Sequence, residues 1–515
     1  MRLPVWVAVI LMILIGLLKF DGQLADFANN YFGAKLLFDG VTFDQLYDPY
    51  QFNRLVLELG FEGLYLNFMV LPPITALFFT PFLILEPLQA KILFNAISAA
   101  FFLLTLFRLL KAQNINFWLG PAFILACFVP IASCLYQGQL YLLLFVFIVE
   151  GYLAFQQKKD WKGSVFWGMA ACLKIFPILL ILLLWREKRW SASFKYIATA
   201  VGLVLISCIF VPVDFWLRYV MEVFPRILAN EFNDPFSASH QSMSVLLRSL
   251  FVYDSHLNPN PWIENFQIFT VLDMLFKLSM LYALWRLLMK TKSSLEGFGL
   301  VLLFAIAYNG YSTVYAMVLL LPLMLGLWKR KTPISYLTLV VLVLGFSIPA
   351  TLVSSVFSGF TLFRMAMFLL ALILIFFAFK PKLQTLAFAP IVLFAIVVSF
   401  LKPDPNMDAE LVGPQSSELL TFDYALGANG ITTHFFNENG EHATHLDKEI
   451  LSIDSTSVQL KDGQLYFNDV AITKGSDRKR KPRLVNESEV YYLSDAGRGV
   501  GFFALRKMTW IHGQN

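Results

Sequence analysis

An acidic stretch that directly follows the first apolar run holds the side chains best suited to proton transfer. Residues 21–50, DGQLADFANNYFGAKLLFDGVTFDQLYDPY, carry five aspartates and one lysine. A carboxylate that is partly buried at a membrane interface has a raised pKa, which suits it to accept a proton from an attacking hydroxyl. Asp26 is the best candidate for such a general base, and Asp21 is the second. The other aspartates stand in turn-like sequence with glycine and proline, and we predict that they cap helices and form turns.

A lysine and a proline interrupt an apolar run further along the chain. The sequence CLKIFP places Lys174 and Pro177 in the middle of the run 163–185, which basic residues flank at both ends. Short basic loops stay on the cytoplasmic side of a membrane, so a single crossing cannot satisfy both flanks. Proline lacks the backbone donor that a helix needs, and a cation at membrane depth implies a polar cavity. The run is therefore predicted to form two half-helices that meet near Lys174.

Sequence motifs for metal, nucleotide and thiol chemistry are not found. The six histidines are scattered and show neither the HExxH nor the Cys-His spacing of metal sites, and the chain has no Walker or dinucleotide glycine loop. His442 and His445 form an H-x-x-H pair, which we interpret as a hydrated turn rather than a metal site. The four cysteines lie in or beside apolar runs, where they are expected to be small core residues. The sequence predicts no metal and no cofactor.

The composition is that of an integral membrane protein. Apolar residues make up 58% and charged residues 15% of the chain, against roughly 45–50% and 25% in soluble domains. No A-x-A-like cleavage site follows the first apolar run, so we expect an uncleaved first helix that stays in the membrane. The net charge of +5 comes from lysines and arginines that cluster between apolar runs. These clusters indicate membrane topology, and no nucleic-acid partner is predicted.

The apolar runs and the basic clusters between them agree with one orientation. With the amino terminus inside, every short basic loop lands inside, provided that residues 71–85 form an interfacial or re-entrant element rather than a crossing. The sequence thus predicts an all-α polytopic membrane protein with about 12 or 13 transmembrane helices, since a crossing requires about 20 apolar residues. The predicted spans are 3–20, 91–110, 118–135, 139–156, the half-helix pair within 163–185, 195–212, 263–286, 296–309, 314–328, 333–352, 362–380 and 384–401.

Residues 402–515 form a predicted second domain after the transmembrane domain of residues 1–401. Apolar runs stop there, and short alternating stretches such as SVQLKDGQLYFNDVAIT are separated by Asp-Gly and Gly-rich turns. This pattern is typical of β-hairpins. Because the last predicted span leaves the cytoplasm, the tail is expected to be a small extracytoplasmic β-rich domain. Its basic run DRKRKP is predicted to be a solvated loop or a contact for anionic lipid headgroups.

Five sequence pieces follow one another over most of residues 20–250. They are ADFANNYFGAKLLFDG followed by LYD, then LPPITALFFTPF, YQGQLYLLL, GMAACLKIFPILLILLLW and SHQSMSVLLR. In this order they resemble the C-superfamily (GT-C) of membrane glycosyltransferases, and within it the glycosyltransferase family 87 group (GT87, DUF2029) related to polyprenyl-phosphate-mannose-dependent α-mannosyltransferases. The catalytic base of that family is an aspartate just after the first helix, and Asp26 occupies the matching position.

The resemblance implies an inverting transfer of a mannose or another hexose or pentose from a polyprenyl-phosphate donor. The acceptor is a lipid, a glycan or a protein, membrane lipids surround the enzyme, and no metal is required. The residues expected to bind the donor phosphate are Lys174, His240, Gln241 and Arg248, and those expected to line the sugar pocket are Tyr31, Gly138 and Gln139. Three alternatives stay open: a structural or snorkelling role for Lys174, an interface anchor for Arg248, and a plain tight turn for Gly138 and Gln139.

Departures from the family pattern concern the sugar and the acceptor more than the reaction. Leu71 stands where Tyr is usual before Pro72, and His240 stands where Asn is usual. The expected location is the bacterial inner membrane, with the active site and the tail facing the periplasm. Two other classes remain as alternatives. A polysaccharide polymerase or ligase would place its major outer loop later in the chain, and a transporter or flippase would show internal repeats.

Overall fold

A computed structural model gives the fold of most of the chain. The described residues are 2–19, 22–61, 64, 66–228, 236, 242–253, 258, 260–291, 293–308, 312–347, 360–379, 410–412, 420–427, 430–436, 442–447, 458–461, 463–473, 477, 479–486, 488–495 and 503–509. The described chain is mostly helical, and its strands all follow residue 409. The predicted span 384–401 and the second carboxylate candidate, Asp21, lie outside the described residues.

The helices are numbered here in chain order. They are α1 Arg2–Leu18, α2 Phe27–Phe38, α3 Phe43–Tyr47, α4 Pro49–Glu58, α5 Pro73–Phe79, α6 Pro87–Ala112, α7 Leu119–Ala126, α8 Phe128–Gln137, α9 Tyr141–Gln156, α10 Asp160–Leu173, α11 Ile181–Arg186, α12 Trp190–Ser207, α13 Val213–Arg218, α14 Phe224–Leu228, α15 Met243–Phe251, α16 Phe266–Lys290, α17 Ser294–Tyr308, α18 Leu321–Arg330, α19 Pro333–Ser347 and α20 Phe360–Phe379. Short 3-10 turns cover Thr80–Ile84, Phe176–Leu180 and Val314–Leu320, and one π-turn covers Tyr219–Val223.

Several helices of the described chain are strongly apolar. By length and composition, α6, α12 and α16 could each cross a membrane, and α7 with α8 would make a fourth span if that bent pair is counted as one. Other apolar helices, such as α9 and α17, have 10 to 17 residues, fewer than the about 20 that a perpendicular crossing needs. The number of about 12 or 13 spans therefore stays a prediction.

The predicted span 118–135 is divided by a sharp bend. α7 and α8 meet at an angle of 68°, and Cys127 between them leaves the helical region with φ −99° and ψ 23°. Pro130 explains the break, because its ring would clash with the carbonyl group four residues earlier, and its nitrogen carries no hydrogen for that bond. Within the first turn of α8 a proline is tolerated, since the N–H groups there have no partner in the helix.

The predicted break at Lys174 is confirmed. α10 ends at Leu173, Lys174 is extended with φ −144° and ψ 132°, and a 3-10 turn leads into α11. The start of α10 and the end of α11 lie together. Arg189 after α11 pairs with Asp160 at the start of α10 and donates to the Phe155 carbonyl at 3.0 Å. The pair therefore enters and leaves at the same end of the helical unit.

The basic loops between the apolar helices converge at that same end. Gln156 donates to the Ser294 hydroxyl at 2.7 Å, and this hydroxyl donates to Glu187 at 3.4 Å. Lys329 in the last turn of α18 donates to the Gln113 carbonyl after α6 at 3.1 Å. These contacts agree with the shared side predicted for the loops, which we call the basic end. That this end faces the cytoplasm stays a prediction.

The described part of the tail is β-rich, as predicted. Its strands are β1 Glu410–Leu411, β2 Leu420–Gly427, β3 Gly430–Phe436, β4 His442–Asp447, β5 Gln459–Lys461, β6 Gln464–Phe467, β7 Val470–Ala471, β8 Lys479–Asn486, β9 Glu489–Ser494 and β10 Ala504–Thr509. They form antiparallel sheets in the orders β1-β10-β9-β8, β2-β3-β4 and β5-β6-β7. The domain boundary near residue 402 lies outside the described residues.

The run DRKRKP differs from the predicted solvated loop. Lys479, Arg480 and Lys481 of this run lie on β8, and Lys479 is buried in an ion pair with Asp477 at 2.8 Å. Arg480, the next residue, pairs with Asp48 between α3 and α4 at 2.8 Å. Alternation along a strand explains both partners, since successive side chains point to opposite faces. The tail thus contacts the acidic stretch near the amino terminus.

Candidate active site

The loop between α1 and α2 places the Asp26 carboxylate in a half-buried position. Ala25 has a positive φ of 47°, and Asp26 stands at the N-cap of α2, where its side chain makes no capping hydrogen bond. Its backbone N–H donates instead to Gln137 Oε1 at 3.4 Å. Because the carboxylate is not used to cap its own helix, it is directed toward the segment between α8 and α9.

Gln139 holds the Asp26 carboxylate from the opposite segment. Its Nε2 donates to Asp26 Oδ2 at 2.6 Å. Burial raises the pKa of Asp26 above its ordinary value, while the Gln139 hydrogen bond and the charges of Lys174 and Lys91 act in the opposite direction. Burial is the largest influence, so the carboxylate holds a proton more readily than an exposed aspartate does. A carboxylate of this kind can accept a proton near neutral pH.

Gly138 forms the turn that brings Gln139 to Asp26. It ends α8 in the left-handed region, with φ 65° and ψ 38°. A Cβ atom there would come within 2.6 Å of the Phe27 Cβ atom, a separation that packed atoms do not reach. Both the turn conformation and the close approach therefore require glycine. The structure places Gly138 in a tight interhelical turn, and its contact with a sugar stays a prediction.

Tyr31 lies on α2, slightly more than one turn beyond Asp26. Its hydroxyl donates to the Leu85 carbonyl at 2.9 Å, and its ring packs at 6.2 Å from Phe27 and 5.3 Å from Phe32 between centroids. These contacts attach α2 to the segment before α6. The predicted role of Tyr31 in the sugar pocket is not decided by them and remains a prediction.

Lys174 lies near Asp26 although 148 residues separate them in the chain. Its charge acts on the Asp26 carboxylate, and its Nζ atom lies 5.9 Å from the centroid of the Tyr141 ring at the start of α9. The break after α10 is what makes this possible, because it places the lysine at the tip of the half-helix pair, away from the basic end. The sequence-predicted base and the first sequence-predicted phosphate ligand thus share one site.

The remaining phosphate candidates are placed differently. Arg248 lies on α15, with its guanidinium 4.8 Å from the centroid of the Phe269 ring on α16. Stacking of this kind is also what an anchoring arginine makes, so its contact with phosphate stays a prediction. His240 and Gln241 lie outside the described residues. One turn before Arg248 on α15, the Ser244 hydroxyl donates to Asp273 of α16.

Sequence reasoning missed Lys91 and Gln137. Lys91 is 6% exposed, its ammonium donates to the carbonyl groups of Gln23 and Tyr136, and its charge acts on Asp26. A signal was present, because Lys91 opens the predicted inward span 91–110 at the end where the positive-inside rule expects no lysine. Gln137 gave no comparable signal, since a glutamine beside a turn is ordinary.

An apolar cavity begins close to the site. Its volume is about 420 Å³, and it runs between α6 and α9 from Phe82 and Phe94 to Arg108, which pairs with Glu150 at 3.1 Å. The Phe94 ring lies 5.7 Å from the ring of Phe27, the residue that follows Asp26. Most of the lining side chains are aliphatic or aromatic, so the cavity suits a hydrocarbon chain.

Comparison with known families gives a match over the middle of the chain. Residues 70–308 match the model of glycosyltransferase family 87. The match confirms the resemblance drawn from the sequence pieces and supports a glycosyltransferase activity. Lys91, Gln139 and Lys174 lie within the matched residues, whereas Asp26 and Tyr31 precede them. No curated protein matches the chain in sequence.

Proposed function

We propose that this protein is a membrane glycosyltransferase that moves a sugar from a polyprenyl-phosphate donor to a lipid, glycan or protein acceptor. The family match supports transfer of a sugar. One observation carries the assignment of the site: a half-buried carboxylate, Asp26, is held by Gln139 at 2.6 Å beside the cations of Lys174 and Lys91. A base next to positive charge is what displacement of a phosphate by a hydroxyl requires.

The proposed reaction is a single displacement at the anomeric carbon. The acceptor hydroxyl attacks that carbon from the face opposite the phosphate, and Asp26 takes the hydroxyl proton. The bond between the anomeric carbon and the phosphate oxygen breaks, and its electron pair leaves with the lipid phosphate. Configuration at the anomeric carbon is therefore inverted. Because Gln139 occupies Oδ2, we assign the proton to Oδ1.

Lys174 is the group proposed to stabilise the leaving phosphate. Negative charge grows on the phosphate oxygen as the bond breaks, and a cation fixed beforehand stabilises that charge without reorganisation. Lys174 itself has an extended backbone between the two half-helices, so the helices on either side of it fix its position. Arg248, His240 and Gln241 are proposed to complete the phosphate site from the loop before α15 and from α15 itself.

The proposed donor is lipid-linked, and the proposed site lies at the end of the helical unit opposite the basic loops. The apolar cavity beside Phe94 supports a donor with a hydrocarbon chain. The convergence of the basic loops at the other end supports a site that faces the periplasm of a bacterial inner membrane. Tyr31, Gly138 and Gln139 are proposed to surround the sugar.

Incubation of the purified protein with a panel of radiolabelled polyprenyl-phosphate sugars tests the proposal. We expect one donor to give a labelled acceptor in detergent, where no gradient exists, and the Asp26→Asn variant to give at least about 100-fold less at the same protein amount. Transfer from a preassembled lipid-linked oligosaccharide alone would favour a polymerase or ligase. No transfer from any donor, together with movement of labelled lipid across reconstituted vesicles, would favour a flippase.

A further inference from the structure

Lys91 is a buried cation near the start of α6, away from the basic end. It stands one turn after Pro87, the first residue of the helix, and is 6% exposed. An ammonium group is costly to remove from water unless hydrogen bonds and charge compensate it. Its ammonium donates to the carbonyl groups of Gln23 and Tyr136, and its Nζ atom lies 5.7 Å from the centroid of the Tyr136 ring.

The two carbonyl groups belong to the two segments that form the site. Gln23 precedes Asp26 by three residues on the α1–α2 loop, and Tyr136 precedes Gln139 by three residues at the end of α8. A single ammonium group therefore joins the segment that carries the carboxylate to the segment that carries its amide partner. The 2.6 Å bond between Asp26 and Gln139 depends on how these segments lie against each other.

We infer that Lys91 is a positioning residue for the proposed general base: it holds the Asp26 loop against the Gln139 turn and places a positive charge beside the carboxylate. The inference rests on the proposed function, because it assigns Lys91 a role through Asp26 and not a contact with substrate. Lys91 lies within the residues that match the family model, whereas Asp26 precedes them.

Several titratable groups face Asp26 in the described part of the chain. Lys91 reaches it from α6 and Lys174 from the break after α10, and the Tyr315 hydroxyl lies near it on the 3-10 turn Val314–Leu320. Burial raises the pKa of Asp26, and the two lysines lower it. Loss of the Lys91 charge must therefore raise the pKa further. Since the base works in its ionised form, the acidic limb of the rate profile must then move to higher pH.

The test is the pH profile of transfer by the purified full-length protein. For Lys91→Met we expect the midpoint of the acidic limb of kcat to rise by about one unit, the smaller end of the shift that a neighbouring opposite charge produces. Below that midpoint kcat should fall about 10-fold, and KM for the donor should change little. Lys91→Arg keeps the charge and should restore most of the wild-type midpoint.

Lys35→Met is the matched control. Lys35 is a partly exposed lysine on α2, the helix that follows Asp26, and it pairs with Asp39 one turn away. Its loss should leave the acidic limb unchanged. If Lys91→Met does not fold, Lys91→Gln replaces it, because the amide can still donate to one carbonyl group but carries no charge, and the same displacement is expected.

The outcomes separate this inference from the proposed function. The role of Lys91 is overturned if the acidic limb of Lys91→Met coincides with the wild-type limb. Where Lys91→Met does not fold, the acidic limb of Lys91→Gln decides in the same way. Asp26→Asn is measured beside these variants. If Asp26→Asn retains wild-type turnover, the proposed base is wrong. If it is inactive while the Lys91 variants titrate like the wild type, only the role of Lys91 is wrong.

Discussion

Two regions of the molecule place a lysine charge near an aspartate, and they do so in different ways. In the tail, Lys479 and Asp477 are fully buried and 2.8 Å apart. The Ser494 hydroxyl donates to the second carboxylate oxygen, and Lys479 also donates to the Asp477 carbonyl at 3.0 Å. Both carboxylate oxygens thus have a partner inside the fold. A network of this kind fixes β8 and β9 and offers no oxygen to a substrate.

In the helical unit, Asp26 receives a neutral amide at one oxygen and stays half-buried. The lysines beside it direct their hydrogen bonds or their side chains elsewhere: Lys91 to two carbonyl groups, and Lys174 toward the ring of Tyr141. A base must keep one oxygen for the incoming proton and a pKa near the working pH. Charge at a distance leaves one oxygen open while burial keeps the pKa of Asp26 raised, whereas a direct ion pair would hold the carboxylate ionised and occupied.

The largest expected effect separates the two aspartates by chemistry. Asp26→Asn should lower the transfer rate by about 10²–10⁴-fold, the usual contribution of a positioned base, because an amide cannot accept the acceptor proton. Donor binding should stay nearly intact, since size and polarity are kept. Initial rates at matched protein amount and binding of the labelled donor provide the measurement.

Asp39→Asn is the control for that substitution. Asp39 is exposed at the end of α2 and pairs with the partly exposed Lys35, so much of the activity should remain. Retention by Asp26→Asn of more than about a tenth of wild-type turnover would be incompatible with a general-base contribution of the usual size.

The Lys174 charge should matter next most. Lys174→Met is expected to lower kcat by about 10²–10³-fold, as removal of one group that stabilises a developing negative charge does. The protein should still fold, and kcat should fall more than donor affinity. Lys188→Met is the comparison variant, because Lys188 is exposed directly after α11, at the basic end of the same half-helix pair. A drop in protein yield without a drop in kcat per folded molecule would instead indicate a structural cation.

Disrupting the buried Lys479–Asp477 pair should lower the stability of the tail rather than the activity. Asp477→Asn removes the partner of a buried ammonium, and breaking such a pair costs about 3–5 kcal/mol. We expect the tail to become sensitive to limited proteolysis at a lower temperature. Variant molecules that stay folded should keep the wild-type pH profile of transfer. A displaced acidic limb in this variant would mean that Asp477 and Asp26 are coupled and that the contrast between the two regions is wrong.

The smallest effect is expected at the contact between the two regions. Asp48→Asn removes the ion pair with Arg480. The Asp48 side chain is 24% and the Arg480 side chain 36% exposed, and solvent-accessible pairs contribute about 0.2–1 kcal/mol to stability. The proteolysis temperature of the tail should shift slightly and kcat should not change. A loss of turnover comparable to that of Lys174→Met would show that docking of the tail shapes the site.

The sequence by itself determined the features that depend on neighbouring residues. Pro177 removes a backbone donor wherever it stands, so the break beside Lys174 could be predicted from six letters. Alternation of polar and apolar residues predicted the strands of the tail for the same local reason. Asp26 could be selected because it follows an apolar run. Gln139 was expected in the same site from the family resemblance, but its hydrogen bond to Asp26 could not be predicted.

DRKRKP was predicted as a solvated loop or a lipid contact, and the loop prediction was wrong for its residues on β8. Lys479 and Arg480 meet Asp477 and Asp48 only in the folded chain.

Only the tertiary structure decided which contacts the Asp26 carboxylate makes. Gln139 lies 113 residues away in the chain, and Lys91 joins segments that lie 68 and 45 residues from it. No periodicity or local propensity encodes such separations, because they follow from how α6, α8 and the half-helix pair pack. The pKa of Asp26 is decided at the same level: burial raises it and two distant lysines lower it. The carboxylate is a property of the sequence, whereas its strength as a base is a property of the packing.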